Sequence, residues 1–313
     1  MSPRAVTLIL NGSAGASTAA ALSDRIVEIL RTHGIEADAH VVERGGDCAE
    51  LARAAVRRGA TVVVAGGGDG TVNAVASGLV DSECALGVLP LGTFNHFAKD
   101  MGVPLDETEA AVTIATGVVR QIDVGEVNGR IFVNNSSLGL FPMLVRGRRA
   151  HERLGRGRWP ALMFAALAVL RRYPMLTVGL TTAAGATIAR RTPLVFIGNN
   201  EYEMNGFDVG SRKCLDAGAL AVYLARQDGA WAMVWAGLKG LFGVLRPGVD
   251  FDFLSTDAVR IAAHRGTIHV ATDGEVTELK LPLEYRIRRR ALRVIVPVSA
   301  SSGSVSPRPT PPP

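Results

Sequence analysis

The stretch that decides the fold is Gly66-Gly67-Gly68-Asp69-Gly70-Thr71-Val72-Asn73-Ala74-Val75. It follows a short apolar run, residues 61–65, and opens a segment with helical spacing. Glycines let a backbone approach a ligand closely, and successive amides at a helix N-terminus suit phosphate. Asp69 would fit beside a metal-bound phosphate or a ribose hydroxyl. The pattern favours a nucleotide site with a divalent cation nearby over the alternative, a tight loop that binds nothing.

Strand and helix patterns alternate on both sides of this stretch. The alternation predicts an open parallel sheet with crossover helices. The glycine run then follows the carboxyl end of its strand, where such sheets bind their ligands. The predicted strands are 5–10, 37–42, 61–65 and 85–89, and the predicted helices are 17–32, 48–58, 71–79, 94–101 and 107–116.

After residue 119 the pattern changes to short strands separated by turn residues. Two of them, 120–127 and 130–134, flank Asn128-Gly129, a pair that suits a tight hairpin. Short strands at this spacing predict an antiparallel, sandwich-like domain. The fold class is therefore α/β, with an N-terminal open parallel-sheet nucleotide-binding domain (1–119) and a C-terminal antiparallel β-sandwich-like domain (120–284). Further strands are predicted at 176–180, 186–189, 194–198, 219–225, 259–263 and 267–271.

Composition narrows the class of protein. The 313 residues are 48% hydrophobic with 35 glycines, as in a compact α/β enzyme. Aromatic residues make up 5%, and the net charge is +5, so stacking surfaces for nucleic acid are not evident. Cys48, Cys84 and Cys214 have neither disulfide nor zinc spacing, which predicts a cytoplasmic protein. No apolar run reaches the length of a membrane-spanning helix.

Three further motifs stand in a fixed order around the glycine run. They are Asn11-Gly12-Ser13-Ala14-Gly15, Leu89-Pro90-Leu91-Gly92-Thr93-Phe94-Asn95-His96-Phe97-Ala98, and Thr272-Asp273-Gly274-Glu275. Together with Gly67 to Asn73, they resemble the diacylglycerol kinase catalytic-domain family. That family includes sphingosine kinases and bacterial lipid kinases, and NAD kinases and phosphofructokinases are more distant relatives. The resemblance covers nearly the whole chain and also implies that a strand within 285–298 returns to the first domain.

The resemblance implies ATP and Mg²⁺ as cofactors and places the nucleotide against the first domain. For Thr93, the cap of the following helix is an equally good interpretation. The implied nucleotide-binding residues are Asn11, Gly67, Gly68, Asp69, Gly70, Thr71, Val72, Asn73, Gly92 and Thr93.

The acceptor hydroxyl needs a carboxylate base, and the resemblance implies Glu275 first and Asp273 second. The alternative is an ordinary Asp-Gly hairpin turn. A structural Mg²⁺ in the family is held by an Asp before a Gly, but Ala217 stands there in this chain. Asp216 is the remaining candidate metal ligand. His96 stands where the family usually has an Asp. A packed or capping histidine is expected there, and a catalytic histidine is the alternative.

Two apolar segments with tryptophans, 159–172 and 230–245, interrupt the second domain, and an arginine-rich stretch, 146–158, precedes the first. Such a pattern suits a helix lying in a membrane interface, or else helices that cap the β domain. The expected partners are a lipid substrate and an anionic membrane surface at the inner face of the cell membrane, without nucleic acid. A homodimer is left open. Residues 299–313 are rich in Ser and Pro and predict a disordered tail.

These observations predict an ATP-dependent lipid kinase that transfers the γ-phosphoryl group to a hydroxyl of a membrane lipid such as diacylglycerol. The alternatives are a kinase for sphingoid bases or ceramide, a soluble relative acting on NAD or a sugar, and a non-catalytic module that binds nucleotide or lipid. The sequence does not select the acceptor lipid.

Overall fold

The computed structural model describes residues 5–12, 16–42, 47–140, 142, 175–202, 212, 214–226, 250–264 and 266–298. The chain forms two compact units. Unit 1 comprises Met1–Ile122 with Leu292–Pro313, and unit 2 comprises Asp123–Ala291. The predicted helical segments 159–172 and 230–245, the arginine-rich stretch and the tail 299–313 lie outside the described residues.

Unit 1 contains a parallel sheet with helices as crossovers. The strand order is β2 (Ala37–Val42), β1 (Val6–Asn11), β3 (Val62–Gly67) and β4 (Ala85–Pro90). The final residues of β16 (Leu283–Val296) add to β4 in parallel, with Arg293 opposite Ala85. Strands β3 and β4 are buried along their whole length, as expected for a sheet covered on both faces. The elements are β1 (Val6–Asn11), α1 (Ala16–Thr32), β2 (Ala37–Val42), α2 (Asp47–Arg57), β3 (Val62–Gly67), α3 (Asp69–Leu79), β4 (Ala85–Pro90), α4 (His96–Asp100) and α5 (Glu107–Thr116).

Unit 2 is built from antiparallel strands in two layers. One layer has the order β12-β11-β10-β7-β14-β15, and the other contains β16-β13-β8-β9 and the β5–β6 hairpin. The elements are β5 (Val118–Val127), β6 (Arg130–Phe132), β7 (Asn135–Gly139), β8 (Leu176–Thr182), β9 (Thr187–Thr192), β10 (Leu194–Asn199), β11 (Leu220–Ala225), β12 (Phe251–Thr256), β13 (Ala258–Ala263), β14 (Thr267–Thr272), β15 (Glu275–Lys280) and β16 (Leu283–Val296).

One hydrophobic core joins the two layers of unit 2. Leu138, Ile197 and Val222 come from the six-stranded layer, and Ile261 and Tyr285 come from the other. All five side chains are at most 2% exposed. The parallel-rich sheet and the separate antiparallel layer confirm the predicted α/β fold class.

Some elements differ from the sequence-based expectation. Helix α4 begins at His96 rather than at residue 94, because Asn95 adopts a left-handed conformation (φ 51°) that a helix does not continue through. Strand β16 begins at Leu283, just before the segment 285–298 in which the returning strand is expected. Its arginines hide the strand pattern, since Arg286 and Arg288 pair with the buried Glu126. Strand β7 was not predicted, because its sequence Asn-Ser-Ser-Leu-Gly is mostly polar. In the fold it lies between two other strands, β10 and β14.

Within the described part of the chain, every helix is too short or too polar to cross a lipid bilayer.

Candidate active site

Two glycine loops meet at the carboxyl ends of β3 and β4. The Leu91 amide donates to the Gly67 carbonyl at 3.1 Å. A Cβ built on Gly68 would lie 3.3 Å from the Gly92 Cα, and one built on Gly92 would lie 2.8 Å from the Asn95 Oδ1. Only glycines allow this approach of backbone to backbone. The predicted site residues Gly67, Gly68 and Gly92 are therefore brought together.

Asp69 joins the two loops by a direct contact. It is the first residue of α3, and its carboxylate accepts hydrogen bonds from the backbone amides of His96 (3.3 Å) and Phe97 (3.0 Å). These amides open α4, so Asp69 caps a helix that begins 27 residues later. A side-chain cap of this kind stabilises a helix by about 1 kcal/mol. The carboxylate that the sequence assigns to nucleotide or metal thus also fixes the second loop.

Asn95 closes the second loop on itself. Its side-chain amide donates to the carbonyls of Gly92 (2.8 Å) and Pro90 (3.3 Å), while its Oδ1 accepts from the Gly92 amide at 2.9 Å. Asn95, not Thr93, is the N-cap of α4, so the capping interpretation of Thr93 is wrong. Thr93 is exposed on the same loop, and the exposed His96 ring stacks on Phe94 with a centroid separation of 5.6 Å.

The remaining predicted nucleotide residues lie around the first loop. Asn11, at the end of β1, donates from its side chain to the Thr71 hydroxyl at 3.1 Å. The Oδ1 of Asn73 is buried and has no hydrogen-bond partner within the described residues. Val72 is 3% exposed and packs in the core, so it offers only backbone to a ligand. A Cβ on Gly70 would meet nothing within 4 Å.

The Asp273-Gly274 pair forms the turn between β14 and β15. Both residues have positive φ, 46° and 80°, as in the type I′ hairpin turn that Asp-Gly favours. The Asp273 carboxylate does not point away into solvent. It accepts backbone hydrogen bonds from Val133 (2.7 Å), Asn134 (2.9 Å) and Asn135 (2.9 Å). Burial raises the pKa of Asp273 to about 6, although these amides and Arg212 oppose the rise.

Glu275 is the first residue of β15 and is exposed. Its carboxylate has no hydrogen-bond partner among the described residues, in contrast to Asp273. The two acidic residues of the turn therefore differ sharply in environment. One is hydrogen-bonded to the chain, and the other is exposed.

The sequence interpretation missed a buried polar network beside this turn. The Arg212 guanidinium, 5% exposed, donates to the Val133 carbonyl (2.7 Å) and to the Asn134 Oδ1 (2.8 Å). The Asn199 side chain donates to the carbonyls of Val133 (2.9 Å) and Asp123 (2.8 Å). Asp123 interrupts an apolar strand between Ile122 and Val124, which is the one sequence signal that could have identified the network.

Asp123 itself is fully buried and ties three segments together. Its carboxylate accepts from the amides of Gly218 (2.6 Å) and Arg290 (2.8 Å), both of which have positive φ. Its own amide donates to the Leu215 carbonyl at 2.8 Å. The network therefore fixes residues 215–218 as well as 133–135.

No group of three or more His, Cys, Asp or Glu side chains that could hold a metal occurs in the described ranges. Asp216 precedes β11 and accepts a hydrogen bond from the Cys214 thiol at 3.0 Å. A metal role for Asp216 stays a prediction, and Asp69 is the carboxylate nearest in the fold to the glycine loops.

Known proteins resemble the part of the chain that carries the two glycine loops. The model of the diacylglycerol kinase catalytic domain matches residues 5–127, which include both glycine loops and Asp69. The match is to the family model alone and covers less than half of the chain. The Asp-Gly-Glu turn, Arg212 and Asn199 lie beyond the matched segment.

Curated relatives are similar in sequence to this chain over a stretch about as long as the matched domain. A diacylglycerol kinase of Bacillus subtilis is 39% identical over 113 residues, covering 35% of this chain and 37% of the relative. The probable lipid kinase YegS-like of Pseudomonas aeruginosa is 41% identical over 115 residues, covering 36% and 38%. The matched part of the chain thus spans less than half the length of either relative.

A solved structure extends the likeness of fold to most of the chain. A diacylglycerol kinase from Bacillus anthracis strain Sterne superimposes with a TM-score of 0.70. The match covers 96% of this chain and 99% of the other at 20% sequence identity. At this identity the likeness concerns the fold alone.

Proposed function

We propose that this protein is an ATP-dependent lipid kinase. The observation that carries the proposal is the pair of glycine loops joined by Asp69, within a segment of the diacylglycerol kinase catalytic domain family. Phosphoryl transfer needs the phosphates held and their charge neutralised. The first turn of α3 and the open face at Gly70 supply amides for that purpose. Mg²⁺ would arrive with ATP, held largely by phosphate oxygens.

In the proposed reaction the acceptor is a hydroxyl of a membrane lipid, with diacylglycerol the first candidate. The Glu275 carboxylate takes the hydroxyl proton, and the hydroxyl oxygen forms a bond to the γ-phosphorus. The bond from that phosphorus to the bridging oxygen breaks, and ADP leaves with the electron pair. Glu275 is preferred to Asp273 as the base because its carboxylate is exposed and has no partner among the described residues.

The test is incubation with γ-labelled ATP, Mg²⁺ and total lipid extract in mixed micelles, followed by identification of the labelled product. Separate reactions with diacylglycerol, a sphingoid base, ceramide and NAD identify the acceptor class. We expect label in a lipid. Label in NAD alone would identify a soluble kinase, and ATP binding without any labelled product would identify a non-catalytic module.

A matched pair of variants tests the base. Glu275→Gln should lower turnover about 100-fold or more, since general-base catalysis contributes roughly 10²–10⁴. Glu278→Gln removes another exposed carboxylate from the same strand and should keep turnover near the wild-type value. Equal activity in the two variants would remove Glu275 from the mechanism.

A further inference from the structure

We propose that Asp273 is a positioning residue whose carboxylate fastens the Asp-Gly-Glu turn to three consecutive backbone amides and thereby sets where Glu275 stands. The inference rests on the proposed role of Glu275 as the base, and it gives the second carboxylate of the turn a different task. All the contacts involved lie within unit 2.

The first observation is how the Asp273 oxygens are used. Oδ2 accepts from Val133, and Oδ1 accepts from both Asn134 and Asn135. A carboxylate has about four acceptor sites, so these amides leave roughly one. A general base needs a lone pair directed at the substrate proton. Asp273 is poorly suited to that task because its lone pairs are directed at the chain.

The second observation is that the three amides belong to a rigid segment. Val133 and Asn134 join β6 to β7, and Asn135 is the first residue of β7. Strand β7 pairs on both sides, with β10 and with β14. The side chains of Arg212 and Asn199 both donate to the Val133 carbonyl. The turn is therefore tied to a segment that is itself held by buried side chains.

The third observation is the short path from Asp273 to Glu275. A fourth hydrogen bond runs from the Asp273 amide to the Asn135 carbonyl at 2.9 Å. Only Gly274 separates the bound residue from Glu275, which pairs with Thr272 at the start of the ladder. With both turn residues in left-handed conformations, the position of the Glu275 Cα follows from the hold on Asp273.

The test uses Asp273→Asn, which removes the charge but keeps the turn. Asn tolerates positive φ, and Asn-Gly favours the same turn type. The asparagine would direct an NH₂ group at amides that also donate, so the hold should weaken. We expect turnover to fall about 10- to 100-fold with the KM for ATP changed less than threefold. Hydrogen exchange should accelerate in peptides covering 131–136 and 272–277.

A double variant separates positioning from direct catalysis. If Asp273 acts only through Glu275, Asp273→Asn should not lower the residual rate of Glu275→Gln any further. A further loss in that background would show that Asp273 touches the substrate, and would overturn the proposal. Unchanged hydrogen exchange in Asp273→Asn would overturn it as well.

The exchange measurement also keeps this inference distinguishable from the proposed function. If the wild-type protein transfers phosphate to no acceptor, the lipid kinase proposal fails. The exchange rates of Asp273→Asn would still show whether this carboxylate holds the turn. If Asp273→Asn does not fold, Gly274→Ala provides the second variant, because it disturbs the turn and leaves both carboxylates in place.

Discussion

At the scale of single residues, neighbouring side chains of one motif perform separate tasks. Asp69 accepts from the amides that open α4, while Gly70, next in sequence, leaves open space above the backbone. Asp273 likewise accepts from backbone amides, while Glu275, two residues later, is exposed. The motif is therefore a mixture of residues that hold the loops and residues that leave room for a ligand.

Gly70→Ala should weaken ATP binding without harming the fold. The added methyl meets nothing within 4 Å, and alanine in a helix is favoured over glycine by about 0.5–1 kcal/mol. We expect the Kd for MgATP to rise at least tenfold, measured by calorimetry, with the free energy of unfolding unchanged or raised. Unaltered ATP affinity would show that the nucleotide does not approach this residue.

Gly67→Ala provides the contrast. Its methyl would lie 2.6 Å from the Thr71 Cβ, so this variant should lose stability in urea unfolding even without nucleotide.

Asp69→Ala should have two effects, and a second helix cap in unit 1 separates them. Asp106 caps α5 by accepting from Thr108 (2.9 Å) and Glu109 (3.0 Å). Each alanine substitution should lower the free energy of unfolding by about 1 kcal/mol. Only Asp69→Ala should also weaken ATP binding, because only its cap fixes the second glycine loop. Equal ATP affinity in both variants would reduce Asp69 to an ordinary cap.

The Asp273 carboxyl should give unit 2 a pH-dependent stability. Its pKa is raised from 3.8 to about 6 in the folded chain, with desolvation the largest cause. The folded state then binds the proton more tightly than the unfolded state, so this group's contribution falls as pH rises from about 4 to about 6. Urea unfolding of the wild type should lose stability over that range relative to Asp273→Asn. A constant difference between the two proteins would contradict the raised pKa.

At the scale of elements, two hairpins of unit 2 share one turn geometry but lead to different kinds of residue. Asn128-Gly129 has φ values of 46° and 81°, nearly those of Asp273-Gly274. Asn128 accepts from the Glu284 amide at 2.7 Å and donates to the Lys280 carbonyl at 3.0 Å. Both turns are thus docked by a side chain at the first position, but only one leads directly to an exposed acidic residue.

This similarity gives a matched pair of substitutions. Gly274→Ala and Gly129→Ala each place a methyl where nothing lies within 4 Å and where φ is close to +80°. Both should destabilise unit 2 by a similar amount, on the order of 1 kcal/mol, through backbone strain. Turnover should fall only for Gly274→Ala, since only that turn sets Glu275. An equal fall in both would point to a general loss of stability.

At the scale of the whole molecule, the two units differ in how the chain builds them. Unit 2 is one continuous stretch, whereas unit 1 needs residues from both ends of the chain. The last part of β16 supplies Leu292, Val294, Ile295 and Val296, each at most 3% exposed. The parallel pairing of Val294 with Leu86 places them beside β4, which carries the second glycine loop at its end.

A chain ending at Ala291 should therefore lose unit 1. Each buried side chain of this size contributes about 1.5–3 kcal/mol to the free energy of unfolding. Together the four are comparable with the whole stability of a typical domain. We expect this chain to lose ATP binding. We also expect the cooperative unfolding transition of unit 1 to disappear when circular dichroism is recorded against urea concentration. A chain ending at Val298 keeps all four side chains and is the control. ATP binding by the shorter chain would contradict the expectation.

The sequence by itself determined the local features of this protein. Alternating apolar runs predicted the parallel sheet, and glycine pairs predicted the loops and turns, because these depend on residues near one another in the chain. The tertiary structure decided which residues those loops depend on. Asp69 reaches an amide 28 residues away, and Asp273 reaches one 138 residues away. Backbone amides carry no side-chain signal, so only folding shows which carboxylate holds the chain and which one stays exposed.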